Sequence, residues 1–419
     1  MHYWIGSDAL TMRIKILQLL FFLCIVTSAF AIDLEWNTNI LYREHDTQSP
    51  FYTESQTKND FPRRESHQEI SLSTTYKHLN FSGSLNYHDL DKGEAQFEGE
   101  IHELYFEKSI YELEISMGKK IVEWGVGFAY RPLDIIQNED RRKLLSTHDE
   151  GRALISLEYF TSDSAWTFLY LGPDNNKSSL ANMDEAFAVQ FFALIHSVDF
   201  LAILKVSEQH KLESGVGFKS VLNDQWSVYG SFLYQRRYRQ YLNHLLDAHT
   251  NFPIAAGDPV TLRSRQHGYK YLLGLNWSGI SGWSILFETW YDNTAHKKET
   301  WQALENLSHR QHALAENQPA LIEAVSANIR ASTRYFSADN LLEWNTLLRL
   351  SYDFSSQEVY MDYLFTPEDK GAVITLGHRL EGNRYNTEFG LRRFLGPKSA
   401  AYALLPQAWF VVFSFNWYF

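Results

Sequence analysis

The residues in this chain that could do chemistry are charged side chains recurring at every second position. Assigned by alternation, one face collects Glu98, Glu100, Glu112, Glu114, Arg152, Glu158, Glu288, Glu343, Arg349, Asp353, Asp362, Arg379, Arg384, Glu388 and Arg392. On facing walls of a lumen, carboxylates and guanidinium groups create a transverse field, which sorts polar solutes by charge and orientation. The excess of carboxylates predicts a mild preference for cations. The bland alternative is that these groups pair with one another and only solvate the wall. His88, His102, His196 and His378 have no metal-ligand spacing. Neither a metal nor another cofactor is expected.

A second group lies on one stretch, residues 119–145. Gly125 and Gly127 allow sharp bends or close packing, and Pro132 ends strand pairing. Arg131, Asp134, Glu139, Asp140, Arg141 and Arg142 put both charge signs on the same segment. A loop of this kind is expected to fold into a lumen and set its constriction. The residues expected to do so are Lys119, Lys120, Glu123, Trp124, Gly125, Gly127, Arg131, Pro132 and Asp134. The pattern Gly118-Lys-Lys, Glu123-Trp-Gly-Val-Gly127, Pro132-Leu-Asp134 resembles a segment of alginate-export-like and related porin-like outer-membrane proteins. In those, Gly-(Arg/Lys)-x and Trp-Gly precede a Pro-(Leu/Val)-(Asp/Asn) stretch. The resemblance implies a pore or polymer conduit and identifies no substrate. The alternative is that these residues only shape a strand end and its loop.

The elements that must carry these groups are strands. Leu34, Trp36, Thr38, Ile40 and Tyr42 alternate with Glu35, Asn37, Asn39 and Arg43. Trp226, Val228, Gly230, Phe232 and Tyr234 do the same against Gln225, Ser227, Tyr229, Ser231 and Gln235. A helix would scatter these apolar sets, whereas a strand gathers them on one side. Segments of this kind centre near residues 39, 71, 84, 102, 115, 155, 168, 189, 201, 217, 231, 273, 287, 347, 361, 375, 389 and 413. They predict an all-β fold: a single transmembrane antiparallel barrel of about 18 strands, with 16 the alternative count. The connections alternate between short turns and long loops at 44–66, 120–149, 172–183, 238–267, 292–339 and 395–406, as an outer-membrane barrel requires. Within 299–327, helix formers, Leu304 and Leu307, then Leu321, Ile322 and Val325, predict helices broken at Pro319. They would act as a lid or plug, or as a decoration packed on neighbouring loops.

Composition and both ends agree with a barrel. Mean hydropathy is −0.32, and aromatic residues make up 15% of the chain. One face against lipid, the other against water and aromatic rims would produce that combination. The formal charge of −12 argues against a nucleic-acid partner. Met12-Arg-Ile-Lys, the apolar run 16–26 and Ala29-Phe-Ala31 read as a secretory signal. Residues 1–31 are therefore expected to be an extension and cleaved signal, which would take the single cysteine Cys24 with it, and 32–419 the barrel. The aromatic strand 409–419, with Phe415, Trp417 and the terminal Phe419, resembles the assembly signal of bacterial outer-membrane proteins.

Catalysis finds little footing. A resemblance to the outer-membrane phospholipase would need His-x-Ser-Asn-Gly, which is absent. Asp247-Ala-His249 and Thr147-His-Asp149 have the residue types of an omptin-like protease without its constellation. No enzyme is expected. The expectation is passive, porin-like passage of small polar solutes through a Gram-negative outer membrane. The alternatives are a dedicated conduit for a polymer or peptide, working with a periplasmic partner, and a closed surface-binding scaffold. Expected partners are outer-membrane lipid and lipopolysaccharide, the barrel-assembly machinery and the solutes themselves.

Overall fold

A computed structural model describes residues 32–54, 62–90, 95–137, 150–173, 184–247 and 252–419. Residues 1–31, expected to be the export signal and holding Cys24, the charges Glu139 to Arg142, Thr147-His-Asp149 and His249 lie outside the described residues.

The first nine strands are β1 (Ile32–Glu44), β2 (Arg64–Tyr76), β3 (Leu79–Leu90), β4 (Gln96–Ile110), β5 (Leu113–Lys120), β6 (Arg152–Phe160), β7 (Ser164–Leu171), β8 (Ala186–Ile195) and β9 (Val198–Ser207). The rest are β10 (Lys211–Val221), β11 (Trp226–Asn243), β12 (Val260–Ser278), β13 (Trp283–Asp292), β14 (Trp344–Phe354), β15 (Gln357–Thr366), β16 (Gly371–Glu381), β17 (Tyr385–Leu395) and β18 (Trp409–Tyr418). Every sequence-derived centre falls inside one strand, and the sheet has 18 strands rather than 16. Each strand pairs antiparallel with its sequence neighbours, and β1 pairs with β18 from Glu35↔Tyr418 to Glu44↔Trp409, which closes the barrel.

Residues directly opposite one another share a face. The rungs Asn416–Asn37–Glu69–Asn86–Glu98 therefore mark the inward side of β18 and β1 to β4. The outward side carries Trp36, Ile40, Tyr42, Phe97, Phe168, Phe187, Leu273, Phe389 and Phe413, all exposed. Apolar surface on that scale is stable only against hydrocarbon. Among the described residues no helix is long and apolar enough to cross a membrane, so any crossing is made by strands.

Each even-to-odd connection is short: 77–78, 111–112, 161–163, 196–197, 222–225, 279–282, 355–356 and 382–384. In the two-residue turns Lys77, Tyr111, His196 and Ser355 take φ of 55–61°, as tight hairpins demand. The longer connections all leave from the opposite rim.

Two of those loops differ from expectation. Residues 238–243 and 260–267 are not loop but the ends of β11 and β12, which continue as a two-stranded hairpin beyond the neighbouring strands and pack against the 293–343 connection. Beyond the bilayer a strand needs no apolar face, so the alternation that marks strands fades there. The 293–343 connection holds no extra strand. It forms α1 (Lys298–Asn317), a 3₁₀ turn at Pro319–Leu321 and α2 (Ile322–Ser332). Trp301, Leu304, Val325 and Ile329 are buried with Phe51, Leu341, Leu342, Tyr402 and Leu404 in one apolar cluster, and Leu307 is buried as well. Ile322, expected on the apolar face, is exposed. Hydrogen bonds from His312 Nε2 to Pro50 O (2.8 Å) and from Gln311 Nε2 to Pro253 O (2.9 Å) fasten α1 to neighbouring loops.

Candidate pore constriction

After Lys120 the chain leaves the sheet and turns inside the barrel. Gly125 at φ 100° and Gly127 at φ 134° make the turn; a Cβ at Gly127 would stand 2.0 Å from Tyr130 O. Trp124, Leu133, Ile135 and Ile136 are buried in a cluster with Leu154 of β6, Leu169 and Leu171 of β7, Ala186 and Ala188 of β8, Leu201 and Ile203 of β9, and Leu233 of β11. The register places these wall residues on the inward face. The arc of the lumen wall from β6 to β11 is thus apolar at this level and serves as a seat. On β10 the seat is made by the absence of side chains: a Cβ at Gly215 or Gly217 would come within 2.4 or 2.9 Å of the Leu133 methyl groups.

Buried polar side chains hold the segment by its backbone. Glu288 of β13, fully buried, accepts from Phe128 N at 2.5 Å, Ala129 N at 2.8 Å and the Tyr229 hydroxyl at 2.7 Å. Tyr130 donates its hydroxyl to Asp292 Oδ2 at 2.8 Å, where Asn340 Nδ2 also donates, and Asn340 Oδ1 in turn accepts from Trp290 Nε1. Lys270 Nζ stands 3.8 Å from the same carboxylate. Farther along, Lys205 Nζ donates to Ile135 O at 2.7 Å while pairing with Glu213 at 2.9 Å. These groups desolvate heavily, and each is matched by a charged or polar partner, as buried charges require.

Between the segment, β9–β13 and the end of the 293–343 connection lies a cavity of about 160 Å³. Tyr130, Arg131, Asp134, Lys205, His210, Arg239, Lys270, His296 and Asp339 line it. Among the described residues no group of three His, Cys, Asp or Glu side chains is placed to hold a metal ion.

The remaining wall is charged. On β14–β17, Arg349 bonds Asp362 at 3.1 Å and Glu358 at 3.2 Å, and Arg379 bonds Glu358 at 3.1 Å and Glu388 at 3.3 Å. The Arg349 guanidinium lies over Tyr360 (3.9 Å) and over Phe128 of the inward segment (5.0 Å). On β2–β6 carboxylates dominate. Lys120 Nζ bonds Glu107 at 2.6 Å, His102 Nε2 is 3.7 Å from Glu69, and Glu114 stands directly opposite Glu158.

Most of the sequence-nominated residues come together here, and some do not. Trp124, Gly125, Gly127, Arg131, Pro132 and Asp134 belong to the inward segment; Arg131 Nη1 bonds Glu123 at 2.7 Å. Lys120 faces inward, but Lys119 occupies the outward face and pairs with Glu150. Glu112 sits in the β4–β5 turn instead of on the wall, and Glu343 just precedes β14. Arg152 donates to the loop carbonyls of Gly172 (2.9 Å) and Asp184 (3.3 Å). Asp353 faces inward beside the β14–β15 turn, and Arg392 donates to Thr375 Oγ1 at 2.9 Å. Trp409, Phe415 and Trp417 lie on the outward row of the closing seam, where Phe415 meets Trp36 edge to face at 5.9 Å.

No family model matches the chain, and no curated protein sequence matches it either. Among solved structures, OccK5 (OpdH) of Pseudomonas aeruginosa is similar over 93% of this chain and 98% of its own, at 9% identity and a TM-score of 0.54. OccK11 (OpdR) of the same species matches over 92% and 95%, at 8% identity and a TM-score of 0.51. Salmonella typhi OmpF, in a complex with daunomycin, aligns over 93% and 97% at 10% identity and a TM-score of 0.46. The fold is porin-like. At such identities the likeness extends to the fold and no further.

Sequence reasoning missed the apolar arc of wall and the residues that grip the segment, Lys205, Glu213, Tyr229, Lys270 and Asp292. A signal was present. Phe168-Leu-Tyr-Leu171 and Phe200-Leu-Ala-Ile-Leu204 are apolar on both faces, the pattern of strands covered on both sides.

Proposed function

We propose that the protein is a passive channel for small polar solutes in a Gram-negative outer membrane, narrowed by residues 121–137. The observation that carries this reading is the division of the lumen wall. The segment's apolar contacts lie on β6–β14, while β15–β18 and β1–β3 turn mostly polar and charged side chains toward the interior. A barrel of this width is not filled by its own side chains. Solutes would pass between the segment and the charged wall. There the Arg349–Glu358–Arg379–Glu388 network opposes the carboxylates of β2–β6, so charge and dipole select what passes. Glu114 opposite Glu158 is a like-charge pair that a passing cation stabilises.

The test is conductance of the purified barrel in planar bilayers. A steady open channel with a cation-over-anion permeability ratio above one is expected, and a ratio that drops toward one in the E114Q/E158Q variant. A barrel that never conducts rules the reading out. A second reading, a closed surface-binding scaffold, is favoured by the packing of α1 and α2 on loops 45–54 and 396–408, and the same recording separates the two.

A further inference from the structure

The β11–β12 hairpin outruns the barrel. β10 stops pairing with β11 at Gln235, and β13 stops pairing with β12 at Lys270. Seven further rungs, from Arg237↔Gln266 to Asn243↔Val260, continue without a neighbouring strand on either side, although Gln240, Tyr241 and Asn243 lean on the 293–343 connection. At about 3.4 Å per residue they extend roughly 23 Å along the strands.

This outer end is basic. Arg236, Arg237, Arg263 and Arg265 are all exposed, and none forms an ion pair with a described residue. Their cross-strand partners are neutral: Gln266 opposite Arg237, Tyr238 opposite Arg265 and Gln240 opposite Arg263. No acidic residue occurs within 235–243 or 260–268. Of the carboxylates around the hairpin, Asp258 is engaged with Arg334, Glu213 with Lys205 and Asp292 with Lys270. In a chain of formal charge −12, crowding cations on one hairpin costs stability unless an anion from outside neutralises them.

The position of the patch says which anion. Just below it the barrel's outward face carries a row of rings: Tyr234 beside Tyr269 (5.4 Å), Tyr271 beside Tyr291 (6.1 Å) and Tyr291 beside Trp344 (4.9 Å). Aromatic belts of this kind sit at the level of lipid headgroups. Arg236 lies two residues beyond Tyr234, about 7 Å farther along the strand. The arginines therefore begin where headgroup phosphates are concentrated, and a guanidinium fork bonds phosphate in a bidentate, planar geometry.

We propose that the outer end of the β11–β12 hairpin binds the phosphate groups of the outer-leaflet glycolipid through the outward-facing Arg236, Arg263 and Arg265, tethering the vestibule to the membrane surface. The proposal rests on the outer-membrane placement given above. A barrel that conducts but binds no glycolipid overturns the tether and leaves the channel intact.

The experiment measures binding of purified lipopolysaccharide to the detergent-solubilised full barrel, for the parent and for R236Q/R263Q/R265Q. Folding is checked by the electrophoretic heat shift, and R265Q alone serves should the triple variant not fold. The parent is expected to bind at least tenfold more tightly than the triple variant and severalfold more tightly than R265Q. R384Q, in an inner turn, is expected to bind like the parent. Dephosphorylated glycolipid should not distinguish parent from variants. Equal binding by parent and variants overturns the proposal. So does equal binding of dephosphorylated glycolipid by the parent, an equal loss in R384Q, or tighter binding of a soluble anionic polysaccharide than of the glycolipid.

Discussion

Replacing Glu288 by Gln isolates the grip on the constriction from the barrel around it. The carboxylate is fully buried and takes three hydrogen bonds, two of them from the adjacent amides of Phe128 and Ala129. An amide in its place keeps one carbonyl oxygen and turns an NH2 group toward the second donor. A hydrogen bond to a charged group contributes about 1.5–3 kcal/mol, and an unsatisfied buried donor costs about 1–3 kcal/mol. The substitution should weaken docking of the segment by about 2–4 kcal/mol, raising its undocked population about 30- to 800-fold. Within the closed sheet the substitution disturbs only the bond from the Tyr229 hydroxyl of β11, because Glu288 pairs with β12 and β14 through the backbone. In single-channel recordings E288Q should show frequent excursions to a higher conductance, and E288A more of them, with an unchanged electrophoretic heat shift. Recordings indistinguishable from the parent in both variants would refute the view that residues 121–137 define the narrow passage.

Three further outcomes are expected. G217A places a Cβ 2.9 Å from a Leu133 methyl and should loosen the segment by about 1–2 kcal/mol, a loss that L133A relieves in a double-mutant cycle of conductance noise. K205M removes the bond to Ile135 O and strands the buried Glu213 carboxylate, costing about 3–5 kcal/mol in unfolding midpoint, whereas K205M/E213Q should recover most of it. Burial, aided by the positive charge of Arg265, holds His296 beneath α1 down to a pKa of about 4 from the usual 6.5. The undocked loop takes the proton first, so cap stability is full above about pH 6.5 and falls as pH drops toward 4, by about 2 kcal/mol at pH 5. Hydrogen exchange of 298–332 should accelerate between pH 7 and 5 after correction for intrinsic rates, and H296Q should flatten the change; an equal pH response in H296Q disposes of the switch.

How much of this was legible depends on what each residue faces. Where a strand has lipid on one side and water on the other, as in Trp226 to Tyr234, alternation reveals the element, its face and its place in the series. Connection length then gives the rim. Legibility fails where a strand loses one of those two environments. β7 and β9 are covered on both sides, so Leu169, Leu201 and Ile203 look like lipid-facing residues of uncertain phase. The outer ends of β11 and β12 have water around them, and Arg263 to Gln266 look like loop. In the constriction, Gly125, Gly127 and Pro132 disclosed a bend, because those residue types restrict or free the backbone locally. Alternation assigns Glu288 to the wall and leaves Lys205 unassigned, and their bonds to chain 160 and 70 residues away have no local trace.

The grip on the inward segment has a consequence for how such a passage can change. Glu288 holds backbone amides, Lys205 holds a backbone carbonyl, and Gly215 and Gly217 leave room for a single side chain, Leu133. Of the segment's side chains, Trp124, Leu133, Ile135 and Ile136 face the apolar seat, and Tyr130 reaches Asp292. Glu123, Val126, Phe128 and Arg131 remain at least partly exposed, and the backbone bonds that fix the segment do not depend on them. Substitutions at these four positions should alter which solutes pass without altering docking, whereas changes at the seat should alter docking and leave charge selectivity alone. Placing the anchors on the backbone separates the position of the constriction from its chemistry. Selectivity can then be retuned by single substitutions on a segment that stays in place.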